Sequence, residues 1–410
     1  MKIINADCLL AMKEMPDNSV DAIVTDPPYG LSFMGKKWDY DVPSVDIWKE
    51  CLRVLKPGGY LLAFAGTRTQ HRMAVNIEDA GFEIRDMIAW IYGSGFPKSR
   101  NIGKDVEKIN VGGLKNLKQI GTKQGIKCET GTKGYSYNKE YVAGKCMGGK
   151  QISGEIPVYE INNEWEGWGT ALKPALEPIT VARKPLGEKT VAENCLKWGV
   201  GGINIDESRV GDVDGTTAIG RFPANLIHDN SEEVRECFPD LGRSSKLGNN
   251  CKSTGGWSTG LKMSEKGKTN DYSDSGNASR FFKSIIYQAK ASKNERNKGC
   301  GDLDEKAKVF NGQSSKSSKN MKGVEQKFTT QPSKNNHPTV KPIALMEYLV
   351  KLVSKEGHTV LDPFMGSGST GIACKKLGRE FIGIEKESDY CKIAEARIGA
   401  VQTVQEKLYD

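Results

Sequence analysis

The amino-acid sequence predicts an α/β protein with a mostly parallel sheet. Short apolar runs that suit buried strands alternate with amphipathic segments at helical spacing, as they do in successive βαβ units. Two of the predicted strands, 20–25 and 358–361, lead directly into turns of unusual composition. Open α/β sheets bind their ligands beyond the carboxyl ends of the strands. We therefore expect these two turns, which are distant in sequence, to meet at one edge of the sheet.

The first part of the chain alternates regularly between the two kinds of element. The predicted strands are 2–5, 20–25, 60–65 and 82–92, and the predicted helices are 8–15, 45–55 and 67–80. Asp7 suits the N-cap of the first helix, because its side chain can accept a hydrogen bond from a free N–H group. The glycine- and proline-containing stretch 93–97 ends this alternation.

The same pattern returns later in the chain. Residues 174–185 predict another strand, in which a Glu precedes the apolar run. After residue 335 the sequence predicts helix 343–354, strand 358–361, helix 370–377 and strand 381–384. The intervening residues 97–170 and 186–335 have little periodicity, and we interpret them as insertions made of loops or short elements.

Basic charge is concentrated in the two insertions. The chain of 410 residues has a formal net charge of +8. Residues 97–154 contain 12 Lys and Arg against 4 Asp and Glu, and residues 241–335 contain 19 against 8, so the remainder is net acidic. Lysine-rich segments are often solvated loops, but two of them favour a polyanion partner whose phosphates make salt-sensitive contacts.

Cysteine usage and hydrophobicity argue against several classes of protein. The ten cysteines include no C-x-x-C pair and there are only four histidines, which argues against a zinc site and against a secreted disulfide scaffold. The start of the chain has no signal-peptide apolar region, and no apolar run approaches the length of a membrane span. We therefore expect a soluble, cytoplasmic protein that binds no metal and does not contact a membrane.

The first unusual turn is Asp26-Pro27-Pro28-Tyr29. Each proline lacks the N–H group that a sheet ladder requires, so the strand ends here. The turn presents a carboxylate, a carbonyl and an aromatic ring. These groups suit a planar ligand with an exocyclic amino group, such as a nucleobase, because the ring can stack and the oxygens can accept N–H bonds. An ordinary turn at a strand end is the alternative.

The second unusual turn runs from Asp362 to Thr370 with the sequence DPFMGSGST, and it leads into a helix. Gly366 and Gly368 allow the backbone to approach a ligand closely. With Gly371 they also fit the G-x-G-x-x-G pattern of dinucleotide-binding folds, which is the main alternative. The Asp-Pro-Phe before the glycines and the lack of a second βαβαβ half favour a different cofactor. A P-loop is excluded because no Lys follows the glycines.

Together the two motifs resemble those of the amino-group DNA methyltransferases that use S-adenosylmethionine. Their order, with the catalytic motif first and the cofactor motif last, is similar to that of the β class. The resemblance implies a Rossmann-like class I methyltransferase sheet of seven strands, circularly permuted, with a basic DNA-recognition insertion. It divides the chain into a catalytic half (1–96), a basic insertion (97–170), a return strand (171–185), a target-recognition region (186–335) and a cofactor-binding half (336–410).

The resemblance also implies a set of cofactor-binding residues. Asp7 would lie near the cofactor adenine, and Glu385 would accept hydrogen bonds from the ribose hydroxyls. Thr339 and Lys341 match the segment near the methionine carboxylate, where a Lys has the complementary charge. Asp362 would attract the positively charged methionine part. The other residues assigned to the cofactor are Phe364, Gly366, Gly368 and Thr370.

The same resemblance assigns catalysis to Asp26, Pro27, Pro28 and Tyr29. An aryl NH2 group is a poor nucleophile because its lone pair is delocalised into the ring. Its two N–H groups would bond to the Asp26 carboxylate and the Pro27 carbonyl, which would free that lone pair. Tyr29 would stack on a base flipped out of double-stranded DNA, the expected partner.

The target base is expected to be adenine, methylated at N6. In the family that these motifs resemble, Asp at the first motif position leans towards adenine-N6, whereas Ser is usual for cytosine-N4. Cytosine-N4 is the alternative, because both amines need the same two acceptors. A nucleotide- or DNA-binding protein on a methyltransferase-like scaffold without catalysis is a further alternative. The sequence leaves open whether the chain forms a homodimer or acts beside a separate restriction enzyme.

Overall fold

The computed structural model describes residues 1–31, 39–93, 95, 99–128, 151–211, 220–241, 276–285, 293–305, 309–311, 327–329 and 333–402. Its strands are β1 (Lys2–Asn5), β2 (Val20–Thr25), β3 (Leu55–Phe64), β4 (Glu83–Ile91), β5 (Gln119–Cys128), β6 (Gln151–Tyr159), β7 (Leu176–Arg183), β8 (Leu226–His228), β9 (Asp240–Leu241), β10 (Gly276–Asn277), β11 (Lys283–Ser284), β12 (Val309–Asn311), β13 (Lys327–Thr329), β14 (Thr359–Asp362) and β15 (Glu380–Glu385).

The helices are α1 (Cys8–Lys13), α2 (Val45–Val54), α3 (Gln70–Asp79), α4 (Ile102–Asn110), α5 (Val191–Trp198), α6 (Glu232–Arg235), α7 (Lys293–Asn297), α8 (Ile343–Val353), α9 (Ser369–Lys376) and α10 (Ser388–Gly399). Short 3₁₀ turns occupy Leu114–Asn116, Asp206–Ser208 and Ala278–Phe281. Across the described ranges, no helix is both long enough and apolar enough to cross a membrane.

One large sheet organises the fold, with strand order β1-β15-β14-β2-β3-β7-β4-β8-β11. Neighbouring strands are parallel, except that β7 runs antiparallel between β3 and β4. The last two strands of the chain, β14 and β15, lie between β1 and β2. The mostly parallel α/β sheet expected from the sequence is confirmed, and its strand order interleaves the two ends of the chain as a circular permutation requires.

The sheet is wider than the seven strands expected. Two short strands, β8 and β11, extend it beyond β4. Both come from the region 186–335, which the resemblance assigns to target recognition. Ile227 of β8 is fully buried, so this part of the chain contributes to the main hydrophobic core.

Alternate residues of β2 face two hydrophobic clusters on opposite sides of the sheet. Ala22 and Val24 belong to a cluster that includes residues of α8, α9 and α10. Ile23 belongs to a second cluster, with residues of α1, α2 and α3. Because successive side chains of a strand point to opposite faces, a strand with helices on both sides is buried on both faces. This explains why every residue of β2 is buried.

The basic insertion 97–170 contains more regular structure than the predicted loops and short helices. It begins with α4 and continues into an antiparallel hairpin in which β5 pairs with β6. Its sequence is rich in Gly and Lys and lacks the apolar–polar alternation of a half-buried strand, so the periodicity argument missed the hairpin. Most of the Gly-, Ser- and Lys-rich segment 246–278 lies outside the described residues.

Candidate active site

The two unusual turns lie side by side at the carboxyl edge of the sheet. β2 and β14 are adjacent and parallel, with Val360 opposite Ala22. Asp26 directly follows β2, and Asp362 is the last residue of β14. The Thr25 hydroxyl donates a hydrogen bond of 2.7 Å to Asp362 Oδ1 and so joins the two strand ends. The site is therefore assembled from residues more than 300 positions apart in sequence.

Asp26 lies in a hydrogen-bonded cluster with three other polar side chains. The Tyr29 hydroxyl lies 2.8 Å from Asp26 Oδ1 and 3.1 Å from Glu177 Oε2. The Lys341 ammonium donates to Asp26 Oδ2 at 2.8 Å and lies 3.2 Å from Glu177 Oε2. It also lies 3.0 Å from the Tyr29 hydroxyl. We call Asp26, Tyr29, Glu177 and Lys341 the carboxylate cluster.

Electrostatic effects in the carboxylate cluster act on both Lys341 and Tyr29. Burial disfavours the charged form of Lys341, but the carboxylates of Asp26 and Glu177 outweigh that effect and raise its pKa. Burial, reinforced by the same two carboxylates, raises the pKa of Tyr29 well above its ordinary value. Lys341 is therefore a cation and Tyr29 a neutral phenol at physiological pH.

The backbone of the first turn is held by a buried acid. Asp39 Oδ1 accepts hydrogen bonds from the N–H groups of Tyr29 and Gly30, at 2.7 and 3.0 Å. The Thr69 hydroxyl donates to the Tyr29 carbonyl at 2.6 Å, and α3 begins at the next residue, Gln70, rather than at residue 67. Gly30 has a φ of +67°, a conformation that glycine adopts without strain. The backbone N–H and the backbone carbonyl of Tyr29 are thus both held by polar side chains.

The two prolines of the first turn lie between Asp26 and Tyr29, both of which are held by hydrogen bonds. Pro27 is buried and Pro28 is half-buried. Neither residue belongs to a strand, as expected from their missing N–H groups. Pro27 is the residue after Asp26, so its carbonyl also lies at the edge where the two motifs meet.

The carboxylate of Asp362 is buried beneath the glycine-rich turn. Its side chain accepts hydrogen bonds from the Thr25 and Thr370 hydroxyls, the latter at 2.6 Å, and from the Phe364 N–H group at 3.1 Å. Burial raises the pKa of Asp362 to about 6, although these three hydrogen bonds act in the opposite direction. Asp362 thus braces the turn against both β2 and α9.

The glycine-rich turn leaves no room for side chains at its two central glycines. Gly366 and Gly368 have φ values of +54° and +78°. A Cβ atom on Gly366 would lie 2.8 Å from His337 Nε2, and one on Gly368 would lie 2.9 Å from the Cβ of Ala394. The His337 ring also packs edge-on against Tyr390, with centroids 4.5 Å apart. His337 therefore covers one side of this turn.

Glu385 and Asp7 lie at the ends of neighbouring strands. Glu385 accepts a hydrogen bond of 3.0 Å from the Gly366 N–H on one oxygen and a bond of 2.8 Å from the Glu387 N–H on the other. Burial raises the pKa of Glu385. Asp7 caps α1 by accepting a bond from the Leu9 N–H at 3.1 Å. Because β1 pairs with β15, Asn5 lies opposite Glu385, and Asp7 is two residues further on.

The remaining residues assigned to the cofactor occupy two different places. The Phe364 ring packs against Trp48, with centroids 6.4 Å apart, and extends the second hydrophobic cluster. The Thr339 carbonyl contacts His337 Nδ1. Lys341, expected beside a methionine carboxylate, has its ammonium in the carboxylate cluster, where its described partners are Asp26 and Tyr29 of the first motif and Glu177 of β7.

Two residues at this edge were not assigned a role from the sequence. Glu177 was noted only as a Glu preceding an apolar strand, and the antiparallel placement of β7 brings it to Tyr29 and Lys341. His337 lies in the segment before α8 and reaches the glycine-rich turn. His337 could have been noticed because it lies close in sequence to Thr339 and Lys341, whereas Glu177 is 148 residues from Tyr29 and has no such signal.

Comparison with protein families gives an extended match. A family model described as DNA methylase, for N6 and N4 methylation, matches residues 20–189 and 247–396. The type II methyltransferase M.HindIII of Haemophilus influenzae is 23% identical over 440 aligned positions, which cover 97% of this chain and 94% of that protein. The type II methyltransferase M2.DpnII of Streptococcus pneumoniae is 53% identical over 64 residues, 16% of this chain, and the match spans only 24% of that relative.

Solved structures with similarity along the chain include an M1.HpyAVI–SAM complex. It is 17% identical, with a TM-score of 0.39, and the alignment covers 97% of this chain and 98% of that one. PvuII DNA methyltransferase, described as cytosine-N4-specific, is 14% identical with a TM-score of 0.42, covering 96% of this chain and 85% of that one.

Proposed function

The chain belongs to the N6/N4 DNA methylase family, and we propose that it transfers a methyl group from S-adenosylmethionine to N6 of adenine in DNA. The observation that supports this proposal most strongly is the meeting of the Asp26 turn and the glycine-rich turn at adjacent strand ends. A methyl donor bound at one turn and an amine bound at the other would face each other across this edge.

The residues at the ends of β14 and β15 fit S-adenosylmethionine. This cofactor supplies an electrophilic methyl group on a sulfonium, and it leaves as S-adenosylhomocysteine. The positive φ values of Gly366 and Gly368 allow backbone to approach a ligand closely. Glu385 is held by backbone N–H groups and keeps lone pairs that can accept bonds from ribose hydroxyls. The buried anion Asp362 complements the positive charge of the methionine part.

The carboxylate of Asp26 is suited to hold the target amine. The Tyr29 hydroxyl and the Lys341 ammonium each occupy one lone pair on a different oxygen. A carboxylate offers about four acceptor sites, so Asp26 can still accept an N–H group. Its negative charge would also stabilise the positive charge that develops on the nitrogen. The methylated nitrogen loses its proton readily, so Asp26 need not be a strong base.

Tyr29 supports recognition of a flat ring. Its phenol is tied to Asp26 and Glu177 and its backbone to Asp39 and Thr69, so the ring is held in one orientation. Stacking on such a ring would offset part of the few kcal/mol that extrusion of a base from the duplex costs. The two basic insertions support DNA as the partner, because lysine-rich segments neutralise phosphates.

The choice of adenine over cytosine is the finer part of the proposal. It depends on Asp at position 26, since both exocyclic amines require the same two acceptors. Cytosine-N4 methylation is the competing function.

Product analysis separates these functions. Wild-type protein would be incubated with DNA and S-adenosylmethionine labelled in its methyl group, and the DNA would then be digested to nucleosides and separated by chromatography. We expect the label in N6-methyladenine. Label in N4-methylcytosine would overturn the base assignment. Cofactor binding without label in DNA would overturn the enzymatic proposal in favour of a binding protein.

A further inference from the structure

The partners of Lys341 point to a role in the carboxylate cluster. We propose that Lys341 and Glu177 are positioning residues for methyl transfer, which together hold the Asp26 carboxylate and the Tyr29 ring in the orientation that the target amine requires. This inference rests on the proposed function, because it concerns the same amine site. It replaces the expectation that Lys341 binds the methionine carboxylate of the cofactor.

The contacts of the Lys341 ammonium are the first observation behind this proposal. A lysine ammonium has three N–H donors and no acceptor. Three acceptors surround Lys341 Nζ, namely Asp26 Oδ2 at 2.8 Å, the Tyr29 hydroxyl at 3.0 Å and Glu177 Oε2 at 3.2 Å. Lys341 therefore makes two hydrogen bonds and one ion pair within the carboxylate cluster. These contacts direct its ammonium to Asp26, Tyr29 and Glu177 rather than to a cofactor carboxylate.

Burial indicates from which side Lys341 acts. Its side chain is only 10% exposed, whereas those of Asp26 and Glu177 are each 21% exposed. The ammonium lies 4.7 Å from the centroid of the fully buried Phe64 ring and 5.4 Å from that of Tyr29. Lys341 thus reaches the two carboxylates from the core, and the more exposed side chains of Asp26 and Glu177 lie on the side from which a ligand would arrive from solvent.

Charge balance makes the two positioning residues depend on each other. The cluster contains two carboxylates and one ammonium, and the carboxylates raise the pKa of Lys341. Loss of Lys341 would leave Asp26 and Glu177 as neighbouring anions, which repel each other in a partly buried site. Asp26 would then turn away from its present orientation. Neutralising Glu177 in the same protein would remove that repulsion.

Glu177 has a second link to the aromatic side of the site. The Tyr29 hydroxyl lies within hydrogen-bond distance of both Asp26 and Glu177, and the Tyr92 hydroxyl lies 3.5 Å from Glu177 Oε1. Because β7 is antiparallel between β3 and β4, Glu177 enters the cluster from the strand next to Tyr92. Glu177 therefore connects the Tyr29 hydroxyl to the Tyr92 hydroxyl.

The test is a double-mutant cycle with Lys341→Met, Glu177→Gln and the double variant. Lys56→Met is the matched control, because Lys56 forms a 2.6 Å ion pair with Asp21 at the opposite end of β2. For each protein we would measure kcat and KM for DNA methylation, the Kd of S-adenosylmethionine by calorimetry, and Tm. The full chain is used throughout.

We expect Lys341→Met to lower kcat by about a hundredfold while the Kd of S-adenosylmethionine changes by less than about twofold. The double variant should recover about tenfold of the lost kcat and most of the lost Tm, because the repulsion between carboxylates is gone. Lys56→Met should keep the wild-type kcat.

Two results would overturn the inference. One is a Lys341→Met protein with wild-type kcat and a cofactor Kd at least about tenfold weaker, which would return Lys341 to the methionine carboxylate. The other is additivity of the two substitutions in both kcat and Tm. If the wild type methylates no DNA, the proposed function fails instead, and the Tm cycle, which needs no substrate, still decides whether Lys341 and Glu177 are coupled.

Discussion

The buried carboxylate of Asp362 predicts that cofactor binding weakens in mildly acidic solution. Burial raises the pKa of Asp362 to about 6. In the proposed function the ionised carboxylate would attract the positively charged methionine part of S-adenosylmethionine, and the protonated carboxyl would not. A ligand that prefers the ionised form gains affinity as the pH rises through the pKa. Binding should therefore tighten between pH 5 and pH 7.

The size of the effect follows from the pKa. With a pKa of about 6, roughly one molecule in eleven has Asp362 ionised at pH 5, and roughly ten in eleven do at pH 7. The Kd of S-adenosylmethionine should then be about tenfold weaker at pH 5, a difference of about 1.4 kcal/mol. Burial also raises the pKa of Glu385, so a variant is needed to isolate Asp362.

Two substitutions make this prediction specific. Asp362→Asn cannot ionise, so calorimetric titrations from pH 5 to pH 8 should show weaker binding with a flatter pH profile. Thr370→Val removes a hydrogen bond that lowers the pKa of Asp362, so the midpoint should move to higher pH. If the wild type and Asp362→Asn have the same pH profile, or if Thr370→Val leaves the midpoint unchanged, Asp362 does not control cofactor affinity and the electrostatic reasoning is refuted.

Three further predictions concern stability, the glycine-rich turn and the stacking ring. Asp362→Asn should stabilise the cofactor-free protein at pH 7.5, because an acid with a raised folded-state pKa destabilises the fold above that pKa. The unfolding free energy should rise by up to about 3 kcal/mol, and the Tm should rise with it. The gain should shrink in melts at pH 5. Gly366→Ala should weaken S-adenosylmethionine binding at least about tenfold, since its Cβ would meet His337, and adding His337→Ala should restore part of the affinity in calorimetry. Tyr29→Phe keeps the stacking ring and should keep kcat within about tenfold of wild type. Tyr29→Ala loses the stacking ring, so it should reduce the fluorescence rise of 2-aminopurine at the target position.

Much of the fold follows from local sequence pattern. The β2 run 20–25 has apolar residues on both faces, which predicts a central strand covered by helices on both sides. Gly and Pro after β2 and β14 mark where these strands end. Parallel βαβ connection then brings both turns to one edge, so the neighbourhood of Asp26 and Asp362 could be predicted without coordinates.

Other features depend on strand placement that periodicity does not specify. The apolar pattern of β7 predicts a strand, but not that it lies antiparallel between β3 and β4, and this placement brings Glu177 to Tyr29. The direction of the Lys341 side chain likewise depends on tertiary structure. A sequence motif identifies the position of this residue, but it does not show which groups its ammonium contacts. β8 and β11 are too short for a periodic signal, so the widening of the sheet could not be predicted.

The proposed role of Asp26 is tested most directly by comparing Asp26→Ala and Asp26→Asn with the wild type in a single-turnover assay with labelled S-adenosylmethionine and DNA. Loss of a charged acceptor at the reacting nitrogen should reduce the methylation rate of Asp26→Ala by at least about a thousandfold. Asp26→Asn keeps one acceptor oxygen and should retain an intermediate rate, and both variants should bind S-adenosylmethionine as the wild type does. An Asp26→Ala protein that methylates DNA at the wild-type rate would contradict the proposal that this carboxylate holds the target amine.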